Sequence, residues 1–87
     1  MKILNKNVEC VVIFDDRGNP SPQRIRVTDE NEERQVIEIS KIHKKDKIKL
    51  AGDEYLVFTC VGVINDTEKI FELRYLKKET RWILYKI

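Results

Sequence analysis

The fold is decided by the stretch EYLVFTCVGVINDTEKIFELRYL, residues 54–76. Two runs rich in β-branched and aromatic residues flank Asn65-Asp66, and asparagine and aspartate tolerate the positive φ of a type I′ turn. A two-residue loop here predicts three cross-strand pairs, namely Cys60 with Phe71, Phe58 with Leu73, and Leu56 with Tyr75. The stretch is therefore predicted to form an antiparallel hairpin with one apolar face.

A third strand continues the same face. When the next connection closes around Lys78-Glu79, Tyr75 lies opposite Trp82 and Leu73 lies opposite Leu84. A slip of one residue in either hairpin would bring charged side chains into the apolar face, because side chains alternate with a period of two. The two hairpins together predict a three-stranded antiparallel sheet.

The opposite face of this sheet is also apolar, although a sheet with one wet side should be more polar. Two explanations are open. The sheet curls and the N-terminal strands cover part of its second side, or this side is the surface of a homodimer or of a partner protein. The residues that would form such an interface are Val57, Val61, Ile70, Leu76 and Ile83.

The N-terminal half predicts three more strands. The β-branched run Val8 to Phe14 and the strictly alternating Gln23 to Thr28 are separated by the loop Asp15 to Pro22, which gathers most of the breakers in the chain. An acidic turn, Asp29 to Glu33, then leads to a strand over Gln35 to Ile39. Each of the first three strands is thus bounded by turn signals.

The segment Ser40 to Asp53 is predicted to be an irregular arm or a short strand, because its apolar residues are too sparse for a helix face. With six strands and no helix, the chain is predicted to be all-β. We expect one domain over residues 1–87, forming a small antiparallel barrel or a strongly bent meander of about six strands, with SH3-like curvature as one form of it.

Length and composition limit the functions further. A chain of 87 residues buries only about 60–65% of its unfolded surface, which leaves little room for a deep cleft. The opening apolar run is too short for a signal peptide and no later run approaches a membrane span, so we expect a cytoplasmic protein. Cys10 and Cys60 lie within apolar runs and are predicted to be buried free thiols rather than a disulfide.

No constellation of residues predicts catalysis or a cofactor. The single histidine, His43, lies in a lysine-rich segment with no nucleophile arranged beside it. Two cysteines and one histidine, all far apart, lack the spacing of a zinc site. Asp15-Asp16 is predicted to belong to a turn and not to form a carboxylate pair for acid–base chemistry or for a cation, because adjacent side chains point apart. We therefore expect no enzyme activity, no metal and no cofactor.

The strongest polar feature is the run Lys41 to Lys49, which is basic throughout except at Asp46. Small β-barrels bind single strands through a basic groove and aromatic platforms, which Tyr55, Tyr75 and Tyr85 could supply. The predicted nucleic-acid-binding residues are Arg24, Arg26, Lys41, Lys44, Lys45, Lys47 and Lys49. The alternative is a solvated arm whose lysines keep a sheet edge from pairing.

Four segments carry a resemblance to known sequences: Pro22 to Arg26, Phe58 to Cys60, Glu72 to Tyr75 and Trp82 to Ile87. Read together, they resemble short all-β proteins of low-GC Gram-positive bacteria, a group with no established function. The proline-arginine start and the Trp-x-Leu ending are also faintly similar to a small domain encoded beside translesion DNA polymerases. The resemblance implies a bacterial origin and no activity.

These observations lead to one interpretation and one alternative. The chain is interpreted as a non-catalytic module that binds another protein or a second copy of itself through the apolar second face. The alternative is a small nucleic-acid-binding β-barrel that uses the lysine-rich arm. A net charge of +2 argues little for the alternative, since nucleic-acid binders usually carry a clearer basic excess.

Overall fold

Six antiparallel strands and no helix make up the computed structural model, which describes residues 1–87. The strands are β1 (Ile3–Phe14), β2 (Pro20–Thr28), β3 (Arg34–Leu50), β4 (Asp53–Ile64), β5 (Thr67–Leu76) and β6 (Arg81–Lys86). Each strand pairs with its neighbours in sequence, and β1 pairs with β6, so the sheet closes into a barrel. The predicted small all-β barrel is confirmed. The structure contains no helix able to cross a membrane.

The predicted registers of both C-terminal hairpins are confirmed. In the first, Cys60 pairs with Phe71, Phe58 with Leu73, and Leu56 with Tyr75. In the second, Leu73 pairs with Leu84 and Tyr75 with Trp82. Asn65 and Asp66 have φ values of 49° and 61°, as a type I′ turn requires.

The side chains that share this face fill the inside of the barrel. Trp82 stacks on Tyr75, with ring centroids 4.8 Å apart, and lies 5.6 Å from the ring of Phe58. The buried core consists of Ile25, Ile37, Leu56, Phe58, Cys60, Phe71, Leu73, Tyr75, Trp82 and Leu84. The core residues come from β2 to β6, and Val8 and Cys10 of β1 pack against them, so all six strands contribute.

The N-terminal strands complete the barrel wall and do not lie over the second face of the sheet. β1 joins β6 edge to edge through pairs that include Val8 with Trp82. The explanation that the N-terminal strands cover the second face is therefore wrong, although the sheet does curl. The second face is the outer wall of the barrel.

The prediction of an irregular arm over residues 40–53 is also wrong, because β3 continues as one strand to Leu50. Its register against β4 shifts between Ile39 and Lys41 and again between Ile42 and Lys44. Each shift is a β-bulge that adds one residue to β3 and bends it. The two bulges interrupt the alternation by which a strand is recognised. β1 and β2 also begin earlier than predicted, at Ile3 and Pro20.

The two bulges help to separate β3 from β2. These two strands pair only from Arg24 with Glu38 to Thr28 with Arg34. On the N-terminal side of Arg24, β2 contains two prolines, which cannot donate a ladder hydrogen bond. From Ile39 onward β3 pairs with β4 alone. The barrel wall therefore has a gap, in which the first half of β2 and the second half of β3 do not pair with each other.

Trp82→Ala should lower the free energy of unfolding by about 3–5 kcal/mol, because it removes the ring at the centre of the aromatic stack. Chemical denaturation followed by circular dichroism measures the loss. Ile70→Ala is the control, since Ile70 is 54% exposed and its loss should stay within about 0.5 kcal/mol. Equal losses for the two variants would contradict the described core.

Gly62→Ala should destabilise the barrel by about 1–3 kcal/mol through overpacking. A Cβ at this position would lie 2.6 Å from the carbonyl oxygen of Glu38 and 2.9 Å from the ring of Phe71. Val63→Ala, on the exposed outer side of the same strand, is the matched control and should cost little. A Gly62→Ala variant as stable as the control would show that β3 and β4 approach less closely than described.

Candidate functional site

The edge of β3 that faces away from β4 has no strand beside it from Ile39 to Leu50. No backbone hydrogen bond from a turn or loop reaches these residues either. Since backbone N–H and C=O groups normally find partners in a sheet, this edge is a row of groups that water or another chain must satisfy. We call Ile39 to Leu50 the open edge.

The hairpin turn decides which residues of the open edge point outward. Ala51 and Gly52, with φ values of 50° and 84°, form a two-residue turn between Leu50 and Asp53. Leu50 and Asp53 form the hydrogen-bonded pair that closes such a turn. From this pair onward, hydrogen-bonded and non-hydrogen-bonded pairs alternate along the β3–β4 ladder. Lys44, Asp46 and Ile48 therefore bond to β4. Lys45, Lys47 and Lys49 direct their backbone groups away from it.

The side chains of Lys45 and Lys47 lie on the inner side of the wall at the barrel mouth. Their partners on β4 are Phe58 and Leu56, which both face the core. The Lys45 Nζ lies 5.6 Å from the Phe58 ring centroid. The Lys47 Nζ lies 3.3 Å from Glu54, and the Lys47 side chain is 62% exposed. Both side chains are exposed, because no strand lies beside this half of β3 to cover them.

A groove runs between the open edge and the loop that joins β1 to β2. It consists of two connected depressions of about 260 and 270 Å³, which share Asn19, Pro20 and Lys45. The first is lined by Ile13, Asp15, Asn19, Pro20, Ser21, Ile42, Lys45 and Phe58. The second adds Phe14, Gly18, Lys47, Glu54, Leu56, Tyr75 and Lys77. The groove is thus lined by apolar side chains and by charges of both signs, namely the amines of Lys45, Lys47 and Lys77 and the carboxylates of Asp15 and Glu54.

The far wall of the groove is a loop held by Asp15. Its carboxylate accepts hydrogen bonds from the backbone N–H groups of Asn19 at 2.8 Å and Arg17 at 2.9 Å. The bond from Asn19 is the main reason that the pKa of the Asp15 carboxyl lies below its usual range. Gly18, at φ 82°, supplies the left-handed residue of the loop. The predicted turn role of Asp15 is therefore confirmed.

The seven basic residues predicted from the sequence do not form one patch. Lys41 and Lys44 pair with Val61 and Thr59 and face outward, opposite in direction to Lys45 and Lys47. Lys44 also lies 3.5 Å from Asp46. The open edge therefore carries lysines on both of its faces.

Arg24 and Arg26 lie apart from the groove, on the outer wall. The Arg24 guanidinium lies 3.3 Å from the Glu38 carboxylate, and Arg26 forms an ion pair with Glu9. Both arginines are thus paired with carboxylates on neighbouring strands. They line an outer depression of about 370 Å³ with Glu9, Cys10, Val11 and Val36.

The three tyrosines predicted to stack on bases are all engaged within the chain. Tyr75 is 7% exposed inside the core. Tyr85 is covered by Arg74, whose guanidinium carbon lies 3.5 Å from the ring centroid. Tyr55 is half-buried. The aromatic side chain that is exposed in the groove is Phe14, at 47%, and sequence analysis did not select it.

The five residues predicted as a protein interface differ in how much of each side chain is exposed. Val57 and Leu76 are only 6% and 8% exposed within the monomer, which removes them from a contact surface. Val61 and Ile83 are half-buried, and Ile70 is exposed. Arg74 lies opposite Val57 and forms a half-buried ion pair with Glu72. The centre of the outer face is therefore shielded by the chain itself.

Cys10 and Cys60 are both free thiols; Cys60 is fully buried in the core, as predicted, whereas Cys10 is only half-buried. Burial raises the pKa of each thiol to about 12, with a smaller contribution to Cys60 from nearby Cys10. His43 occupies the second bulge of β3 and is exposed. The structure contains no group of three or more histidine, cysteine or carboxylate residues that could hold a metal.

The open edge is the feature that sequence reasoning missed. Two features of the sequence indicate it. The two prolines of β2 lie in the segment predicted to be a loop, and the alternative interpretation of the lysine run is a sheet edge that lysines keep from pairing. Comparison with models of protein families, with curated proteins and with solved structures finds no match to this chain.

Proposed function

We propose that this chain is a non-catalytic module that binds an extended segment of another protein as an added strand along the open edge. The observation that carries the proposal is the absence of a strand beside β3 from Ile39 to Leu50. An unpaired edge is a template for a second chain, whose main-chain hydrogen bonds supply affinity and whose alternate side chains supply specificity.

The groove supports this proposal. An added strand beside Lys45 and Lys47 would direct every second side chain into the groove, on the side of the Lys45 and Lys47 amines. The groove and the unpaired backbone groups thus lie where one strand can use both. The two free cysteines support a reducing compartment, so we propose that binding takes place in the cytoplasm.

Amide hydrogen exchange of the ¹⁵N-labelled chain tests the open edge. In the free protein, the N–H groups of Lys45, Lys47 and Lys49 should exchange fast, and those of Lys44, Asp46 and Ile48 should be protected by β4. We expect at least one of three short peptides, in which threonine alternates with glutamate, serine or lysine, to protect the first set. Failure of all three at millimolar concentration would overturn the proposal.

A pair of variants separates backbone pairing from charge. Lys47→Pro removes the outward N–H group, whereas Lys47→Gln removes the same charge and keeps that group. Proline is tolerated where the N–H faces away from the ladder, so both variants should fold. We expect Lys47→Pro to bind the peptide more weakly than Lys47→Gln, and equal affinity would contradict strand addition.

A single-stranded nucleic acid is the second candidate occupant of the groove. The observation that favours it is that Lys45, Lys47 and Lys77 line the same depression as Phe14, which is 47% exposed. Amines beside an accessible aromatic ring are the usual elements of a single-strand site. The set differs from the sequence prediction, because it gains Lys77 and Phe14 and keeps only Lys45 and Lys47 of the seven predicted residues.

Titration of a fluorescent oligothymidine tests this candidate. Three phosphate contacts should give a slope of about −2 for log affinity against log salt, at about −0.7 for each contact. Lys45→Gln/Lys47→Gln should remove most of that slope, and the outward pair Lys41→Gln/Lys44→Gln is the control. Phe14→Ala should lower affinity by about 1–3 kcal/mol. The absence of binding at micromolar protein would rule the candidate out.

A further inference from the structure

We infer that the strand added to the open edge is acidic, with two carboxylate residues separated by one residue and an apolar residue two positions after the second. In an antiparallel strand the order, from N- to C-terminus, is acidic-x-acidic-x-apolar. This inference rests on the proposed strand addition and names the chemistry of its partner. It follows from the register of the open edge, the charges on it and the shape of the groove.

The register places the two acidic residues. Lys45 and Lys47 carry the outward backbone groups, so the residues opposite them in an antiparallel strand form hydrogen-bonded pairs with them. Side chains of directly opposed residues share one face of the sheet. The residues opposite Lys45 and Lys47 are therefore two apart, and their side chains meet the two amines in the groove.

The charges select carboxylates at these positions. The run Lys41 to Lys49 contains five lysines and one aspartate. Lys45 has no carboxylate within ion-pair distance, and Lys47 shares its partner Glu54, at 3.3 Å, with Lys77. Opposite charges directly across a ladder stabilise the pairing, and like charges weaken it. An acidic strand gains most opposite the unpaired Lys45 and less opposite Lys47, whose charge Glu54 partly offsets, whereas a basic strand is disfavoured.

The shape of the groove determines where the apolar residue of the added strand lies. Two positions beyond Lys45, the added strand reaches the bulge at His43, beside the depression of about 260 Å³. The apolar part of that depression is made by Ile13, Ile42 and Phe58. A side chain of leucine or isoleucine size that enters it would remove apolar surface from water, which favours binding. A polar residue would gain nothing comparable.

A second copy of this chain does not fit the open edge. Two open edges would oppose lysine to lysine, which is unfavourable across a ladder. The acidic segment Asp29 to Glu33 has the right charge and the wrong shape. The Asp29 carboxylate accepts hydrogen bonds from the backbone N–H groups of Asn31 and Glu33, both at 2.9 Å, so the segment is a closed turn and not an extended strand.

The test is a fluorescence-anisotropy titration with the peptide Thr-Glu-Thr-Glu-Thr-Leu-Thr. Lys45→Glu/Lys47→Glu should weaken its binding at least about tenfold and should create binding of the same peptide with lysine in place of glutamate. The control Lys41→Glu/Lys44→Glu reverses two charges that face outward. Its effect should be smaller, because charges farther from the peptide are screened at physiological salt.

Three modified peptides complete the test. N-methylation of either glutamate blocks an N–H group that faces β3 and should abolish binding, whereas N-methylation of the threonine between them should not. Reversing the order of the peptide, or exchanging its leucine for serine, should weaken binding. Equal binding of all N-methylated forms would overturn the inference and show that the groove attracts anions without pairing.

Amide exchange along the open edge distinguishes failure of the acidic motif from failure of strand addition itself. If the serine or lysine peptide protects Lys45 and Lys47 as well as the glutamate peptide does, the acidic motif is wrong and strand addition stands. If no peptide protects them, both proposals fall. If the oligothymidine displaces the glutamate peptide, and both ligands bind Lys47→Pro as tightly as Lys47→Gln, the groove binds nucleic acid and not a strand.

Discussion

The barrel depends on the register of β4 against β5 and β6. Residues of even number on β4 point inward, and the type I′ turn at Asn65 and Asp66 holds them opposite the inward residues of β5. A shift of one residue would turn Glu72 and Arg74 into the barrel, and burying unpaired charges costs far more than a domain of this size can offset. The stack on Trp82 forms only in the correct register, and closure against β1 follows from it.

The C-terminal half could be predicted because its local and long-range signals agree. Turn residues with the required φ flank strands whose apolar residues alternate, so each short segment specifies its own pairing. β3 could not be predicted in the same way. Its bulges at Ser40 and His43 shift the alternation twice, and Lys45 and Lys47 occupy inward positions opposite the core residues Phe58 and Leu56. By residue type alone, that half of β3 is indistinguishable from a solvated arm.

The candidate site was hidden for a different reason. An open edge is a relation between strands, and no single segment records it. The alternation of Arg24 and Arg26 correctly placed both side chains outward, yet their carboxylate partners, Glu9 and Glu38, come from the two neighbouring strands. Sequence reasoning identified the charges and could not assign their partners. Pairing removed the arginines from the site, and the register of β3 divided the lysines between its two faces.

The lysines of the open edge have two effects with the same physical cause. Positive charge along an unpaired strand opposes pairing with a second copy of that strand, which is how exposed edges avoid aggregation. The same charge favours an acidic strand, because the sign of a cross-strand interaction depends on both partners. Openness is set by the backbone, through the bulges of β3 and the prolines of β2, whereas selectivity is set by the side chains. A barrel in which β2 paired with the whole of β3 would keep the lysines and lose the outward N–H groups, so charge alone would not make this edge a binding site for a strand.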